Sequence, residues 1–351
     1  MSAAVQIPRF EVDQVDAAKA ALNSVGVALF PHAVASLPEF SSLSRQLIGS
    51  PYSYNGGEFR AAQMDSPLSY VKALIRTFGK KGRAVLSADV YEASNVPRHV
   101  YLPPHNDMTY RESWPALIML GTTKVASTGG HTPVFDCVAA LAHLSESVRE
   151  KLRTLGVRIT WTVPQYPNKD MEADPGPFAT PTGWTNFFGT DDESEVIEVL
   201  KERGSSSWEF KDGPEDLGKV VYQHYNCPGT QVHALTGKET LFASPLAFHF
   251  AAREWWASKY GGPKSLEDFQ HLRSRTHLAG RPDPQFILVS YGDGSEMTAE
   301  DVADICRAVD ESKVDWSWEK GDAVILDNQL WAHAREPYTG ERSVMTAFGE
   351  R

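Results

Sequence analysis

Three side chains define the chemistry open to this sequence. His105 and Asp107 stand two residues apart in Tyr101-Leu-Pro-Pro-His105-Asn106-Asp107-Met108-Thr109-Tyr110. On an extended strand, positions i and i+2 share a face. The imidazole and the carboxylate then aim at one point, with Asn106 turned away. The candidate third partner is His333, in Leu326-Asp327-Asn328-Gln329-Leu330-Trp331-Ala332-His333-Ala334-Arg335. Two histidines and one carboxylate with open coordination positions form the facial set associated with non-haem Fe(II). Taken alone, a His-x-Asp pair is common, and a histidine beside Trp331 can equally be a satisfied core residue. With 11 histidines in the chain, a distant partner can always be found. The neighbours of the three must carry the case.

Arg342 follows His333 closely, in Gly340-Glu341-Arg342. A planar guanidinium binds a carboxylate with two parallel hydrogen bonds, so beside a metal it can anchor the far end of a chelating keto-diacid. Without His333 nearby, a solvated surface arginine is the plainer reading. The Thr132 hydroxyl can donate to the same carboxylate, or can simply serve the turn beside Pro133. Candidate substrate contacts flank these stretches: Tyr91, Asn95, Tyr101, Phe248, Trp331 and Arg335. Arg335 would share the face of His333 on a strand and hold a substrate carboxylate, or else pair with Glu336 or Glu341. Arg60, after Asn55-Gly-Gly, is a substrate clamp or a solvated loop residue. Aromatics are more often core than binding surface.

The elements that must position these groups are short. The chain has 351 residues, with 42% hydrophobic and 23% charged, which fits a globular protein without general disorder. A net charge of -11 opposes binding to phosphate backbones, so nucleic acid is not expected as a partner. Cys137, Cys227 and Cys306 are widely spaced, which argues against a disulfide framework or a structural zinc site and fits a reducing compartment. No secretory leader is evident, and no apolar run approaches the roughly 18 residues of a membrane span. A cytoplasmic enzyme follows, with no membrane partner; a homo-oligomer is left open.

Helices are expected over 13–23, 39–48, 137–155, 192–203, 249–260 and 299–311. Strands are expected over 27–30, 88–93, 114–120, 157–163, 219–225, 230–235, 239–243, 285–291, 323–327 and 343–348. In the 137–155 helix, Val138, Leu141, Leu144, Val148 and Leu152 recur at separations of three or four, and Gly156 ends it. The proline-rich 164–185 stretch reads as an irregular excursion, part of an insertion or lid over 164–260. Without repeats or a flexible linker, residues 1–351 read as one β-rich α+β domain.

Three blocks in order resemble the taurine dioxygenase (TauD/TfdA) family, and within it the SyrP-like branch. They are His105-Asn-Asp-Met-Thr-Tyr-Arg-Glu-Ser-Trp-Pro-Ala-Leu, Gly129-Gly-His-Thr-Pro-Val-Phe-Asp136, and Trp318 through His333 to Arg342. Gly183-Trp-Thr-Asn-Phe-Phe-Gly-Thr-Asp-Asp192 and Tyr291-Gly-Asp-Gly-Ser295 add to the likeness, which spans about 85–348. The resemblance implies a double-stranded β-helix (jelly-roll, cupin-like) core with helical insertions and flanking helices. It also implies Fe(II), 2-oxoglutarate and O2. His105, Asp107 and His333 then match the iron ligands, and Arg342 and Thr132 match the residues that hold the far carboxylate of 2-oxoglutarate. His131 departs from the family pattern, which has an acidic residue there. Asp107 occupies the position that related halogenases leave open for chloride, which favours hydroxylation, desaturation or oxidative cyclisation.

The resulting expectation is a dioxygenase that oxidises an unactivated C–H of a small polar, amino-acid-like metabolite, releasing succinate and CO2, in natural product biosynthesis. Three alternatives stay open at this point. They are the same chemistry on an aminoacyl group tethered to a carrier protein, a zinc-dependent hydrolase on the same ligands, and a non-catalytic jelly-roll binding protein. Arg342 discriminates, because a hydrolase needs no anchored keto-diacid.

Overall fold

The computed structural model of the protein describes residues 6–52, 85–87, 89–94, 96–109, 114–167, 183–242, 244–276 and 287–351. Its named strands pair antiparallel throughout, in sheets combined with helices. Among the described residues the largest sheet has seven strands. Its order runs Val27–Phe30, Ala323–Asp327, Leu117–Lys124, Ser343–Glu350, Val90–Glu92 and Val85–Ser87, with Ser50–Pro51 also on Ser343–Glu350. A four-stranded sheet orders Lys313–Val314, Val134–Asp136, Trp331–Arg335 and Leu102–His105.

The central strands of the large sheet read as unbroken apolar runs because both their faces are covered. Along Ala323–Asp327, alternate residues go to different clusters. Ala323 and Ile325 join Phe30, Phe40, Leu22 and Met119, beneath the helices Val15–Ser24 and Leu37–Leu47. Val324 and Leu326 join Ile118, Leu120, Val344 and Phe348, together with Val134 and Trp331 of the four-stranded sheet. That second cluster fills the space between the two sheets. The far face of the four-stranded sheet offers Phe135, Ala332 and Ala334 to helical residues such as Leu141, Leu152, Trp256 and Ile305.

Several expected elements differ in extent. The 137–155 helix is two helices, Cys137–His143 and Glu146–Leu155. Leu144 leaves the helical region with ψ 147°, and the Ser145 hydroxyl accepts from the Val148 N–H as a new N-cap. Hydrophobic spacing survives such a break, whereas a serine followed by glutamate signals it. The helix expected to close at 260 continues as Gly262–Thr276 after a π-helical turn over Ala257–Gly261. Ser207–Asp212, Val134–Asp136 and Trp331–Arg335 are additional strands. Within 164–260, Ser207–Asp212 pairs with Lys219–Cys227, which pairs with Val157–Pro164 and, through it, joins Ile287–Tyr291 in a third sheet; of the excursion expected over 164–185, residues 168–182 lie outside the described residues. The hairpin expected at Thr236-Gly-Lys forms, pairing Thr230–Val232 with Glu239–Leu241.

Candidate metal centre

Antiparallel pairing brings the two histidines together. Leu102–His105 lies beside Trp331–Arg335 with His105 directly opposite His333. Their rings stand 4.4 Å apart between centroids, tilted by 45°. Asp107 reaches the same point by a different route from simple strand alternation. The strand ends at His105, and Asp107 begins a turn in which Met108 takes φ 62°. The Asp107 carboxylate lies 3.9 Å from His105 Nε2 and 3.8 Å from His333 Nε2. Donor atoms of the three residues all fall within 4.8 Å of one another, close enough for one small cation to meet them together.

The surroundings suit a metal. The His105 Nδ1–H donates to the Pro103 carbonyl at 2.8 Å, which leaves Nε2 as the lone-pair nitrogen facing Asp107. Asn106 is buried, and instead of turning idly away it donates to the carbonyls of Asn328 and Trp331. Asn328 in turn holds the backbone on both sides of Asp107. A carboxylate and two imidazoles in a small buried cluster form the donor set of a non-haem Fe(II) centre.

A half-buried cation is tied to the strand next to that of His333: Arg342 bonds Thr132, two residues before the Val134 that pairs with His333. The turn Gly129-Gly130 has φ 64° and 72°, both in the left-handed region. It turns the Gly130 carbonyl toward Arg342, whose Nε donates to it at 3.0 Å. Arg342 Nη2 donates to Thr132 Oγ1 at 3.0 Å. The same hydroxyl oxygen accepts from Trp318 Nε1 at 2.8 Å, while Trp316 Nε1 donates to the Thr132 carbonyl at 2.7 Å. With two N–H donors on its oxygen, the Thr132 hydroxyl has its own proton left for an acceptor. No carboxylate among the described residues pairs with Arg342. Burial, aided by the charge of Arg335, pushes its guanidinium down to about 10, so it stays charged at neutral pH.

Of the expected substrate contacts, Arg335, Tyr101, Trp331 and Tyr91 are buried against other parts of the chain. Arg335 is buried and donates to the carbonyls of Val96, Pro97 and Val100 at 2.7–2.8 Å. It pairs with neither Glu336 nor Glu341, and its guanidinium fastens the 96–100 loop rather than presenting itself to a substrate. A bulge between His333 and Arg335 accompanies this departure from strand alternation. Tyr101 is fully buried and stacks against Trp256 and Tyr260. Trp331 lies between the sheets, its Nε1 donating to the Val25 carbonyl. Tyr91 packs near Phe348 in that cluster. Phe248 meets Trp161 edge-on, against the third sheet. Asn95 and Arg60 lie outside the described residues. His131 is half-buried, and its carbonyl accepts from Glu336 N–H, so its role in the turn is carried by backbone.

Sequence reasoning missed Asn328, Trp316 and Trp318. The usable signals were an Asp-Asn pair closing a buried apolar strand and a Trp-x-Trp pair before it, polar or N–H-bearing groups that burial obliges to find partners.

The His-Asp-His donor set fits the metal of an Fe(II)/2-oxoglutarate-dependent dioxygenase. The family model for the taurine catabolism dioxygenase TauD, TfdA family matches residues 2–348. The chain belongs to this family. It is 24% identical over 260 residues to the dapdiamide synthesis protein DdaC of Enterobacter agglomerans, covering 74% of this chain and 68% of that protein. It is 21% identical over 272 residues to a clavaminate synthase-like protein of Arabidopsis thaliana, covering 77% and 71%. Among solved structures, it matches a putative alpha-ketoglutarate-dependent taurine dioxygenase from Burkholderia xenovorans with TM-score 0.49 and 14% identity, over 99% of this chain and 90% of that one. Fe(II) is its metal and 2-oxoglutarate its co-substrate. Among the described residues, no helix is long and apolar enough to cross a membrane.

Proposed function

We propose that the enzyme oxidises an unactivated C–H bond of a small, polar, amino-acid-like metabolite in a biosynthetic pathway, with release of succinate and CO2. In this reading His105, Asp107 and His333 hold the iron, and the chain is one catalytic domain on a double-stranded β-helix formed by the seven-stranded sheet and the four-stranded sheet that carries His105 and His333. Arg342 and the Thr132 hydroxyl receive the far carboxylate of 2-oxoglutarate, the guanidinium by charge and the hydroxyl by the proton its other two bonds leave over. When bound, the iron and 2-oxoglutarate supply the oxidising chemistry; the protein binds, orients and excludes water.

The observation that carries this reading is the His-Asp-His cluster together with an arginine tied to Thr132, two residues before the Val134 that pairs with His333, and without a carboxylate partner among the described residues. A hydrolase using the same ligands would gain nothing from burying that cation. The likeness to a dapdiamide synthesis protein supports a biosynthetic role. The three cysteines are buried and unbridged, which accords with a reducing cytoplasm.

Anaerobic titration with Fe(II) and 2-oxoglutarate tests the assignment. A visible metal-to-ligand charge-transfer band is expected in the parent and absent from His105→Ala. Succinate release stimulated by individual amino acids then identifies the substrate. A parent protein that binds no Fe(II), or an Arg342→Ala variant with undiminished turnover, would overturn the reading.

A further inference from the structure

Asp107 lies beyond the end of the strand that carries His105, so the ladder of strand pairs does not fix its carboxylate. The next residue, Met108, has φ 62°, a conformation that costs energy for a residue bearing a side chain. Something must hold this turn. Asn328 Oδ1 accepts the Asp107 N–H at 2.8 Å. Its Nδ2 donates to the Asp107 carbonyl at 2.8 Å and to the Pro115 carbonyl at 2.8 Å. Asn106 answers from the other side, donating to the Asn328 carbonyl at 2.8 Å and the Trp331 carbonyl at 3.2 Å. Both asparagines are 0% exposed, so each bond is made where no water can replace it.

A primary amide offers one acceptor and two donors in a single plane. Here one such group grips the peptide units on both sides of Asp107. Asn328 also sits on the link between Ala323–Asp327 and Trp331–Arg335, the strand that carries His333. One side chain therefore ties the segment bearing the second histidine to the backbone bearing the carboxylate.

We propose that Asn328 is a positioning residue that presets the Asp107 carboxylate against His105 and His333 and thereby sets the affinity for Fe(II). It touches neither metal nor substrate. Without the clasp, the turn would have to be ordered at the moment of metal binding, and that ordering is subtracted from affinity. The proposal rests on the reading of His105, Asp107 and His333 as iron ligands.

The test is anaerobic equilibrium titration with ferrous ion at saturating 2-oxoglutarate, followed by the charge-transfer band, with thermal unfolding of each metal-free protein. Asn328→Ala should bind Fe(II) about 10–100-fold more weakly than the parent. Leu22→Ala, on the buried face of the outer helix Val15–Ser24, is the comparison for plain destabilisation: its Tm should fall while its Fe(II) affinity stays at the parent value. A folded Asn328→Ala protein with affinity within about twofold of the parent overturns the proposal. If Asn328→Ala does not fold, Asn328→Asp decides. It keeps the size and the acceptor for the Asp107 N–H but loses the amide donors, and a parent-like affinity in it overturns the proposal equally. A parent that develops no band refutes the iron assignment itself, a different result from a parent that binds and a variant that binds as well.

Discussion

Arg335 and Arg342 illustrate how the same side chain takes opposite roles a few residues apart. Each guanidinium lies over the Tyr338 ring, at 5.4 and 5.6 Å. The two terminal nitrogens of Arg335 donate to three loop carbonyls, and burial pushes its guanidinium down to about 10 without removing its charge at neutral pH. Arg342 makes two hydrogen bonds and keeps donors in hand for an anion. Removing Arg335 would leave the buried Val100 carbonyl and the part-buried Val96 and Pro97 carbonyls without their donor, at up to about 1–3 kcal/mol each. Arg335→Ala is therefore expected to lower stability by roughly 3 kcal/mol in urea unfolding. A stable variant with a raised KM for the organic substrate alone would return Arg335 to the role of substrate clamp.

At the scale of elements, the site depends on a turn and on a strand pair. The Gly129-Gly130 turn brings Arg342 and Thr132 together. A Cβ on Gly130 would meet the Tyr338 Cβ at 3.0 Å and the Arg342 Cδ at 3.2 Å, at a φ that already disfavours any side chain. Gly130→Ala should weaken 2-oxoglutarate binding about tenfold, the equivalent of 1.4 kcal/mol, while Fe(II) binding persists. Separate titrations with metal and with co-substrate check this, and equal loss of both would show that the turn supports the whole site. The break at Leu144-Ser145 shows the limit of periodicity as a guide. Apolar spacing marks which residues face the core, and it carries no information about whether the backbone between them stays helical.

For the molecule as a whole, the metal joins segments far apart in the chain. The strand Leu102–His105 precedes most of the helices, and Trp331–Arg335 follows them. Whatever binds only when the two meet must stabilise the complete fold. Fe(II) with 2-oxoglutarate at about 100 times Kd should add about 2.7 kcal/mol, a rise of roughly 4 °C in Tm. Asp107→Ala should abolish the increment. An equal shift in that variant would place the stabilising ion elsewhere.

The residues themselves announced the chemistry. His105, Asp107 and His333 are legible through donor type and the resemblance of their blocks to a family, although Asp107 meets the histidines from a turn and not by strand alternation, and apolar runs such as Ala323–Asp327 reveal strands covered on both faces. What the chain could not state was partnership across distance. Arg335 looked available until three carbonyls claimed it, Tyr101 and Trp331 looked like contacts until the core enclosed them, and Asn328 looked incidental until its amide closed around Asp107. Hydrogen bonds between remote segments depend on strand register and burial, and these are fixed only when all the sheets and helices pack at once.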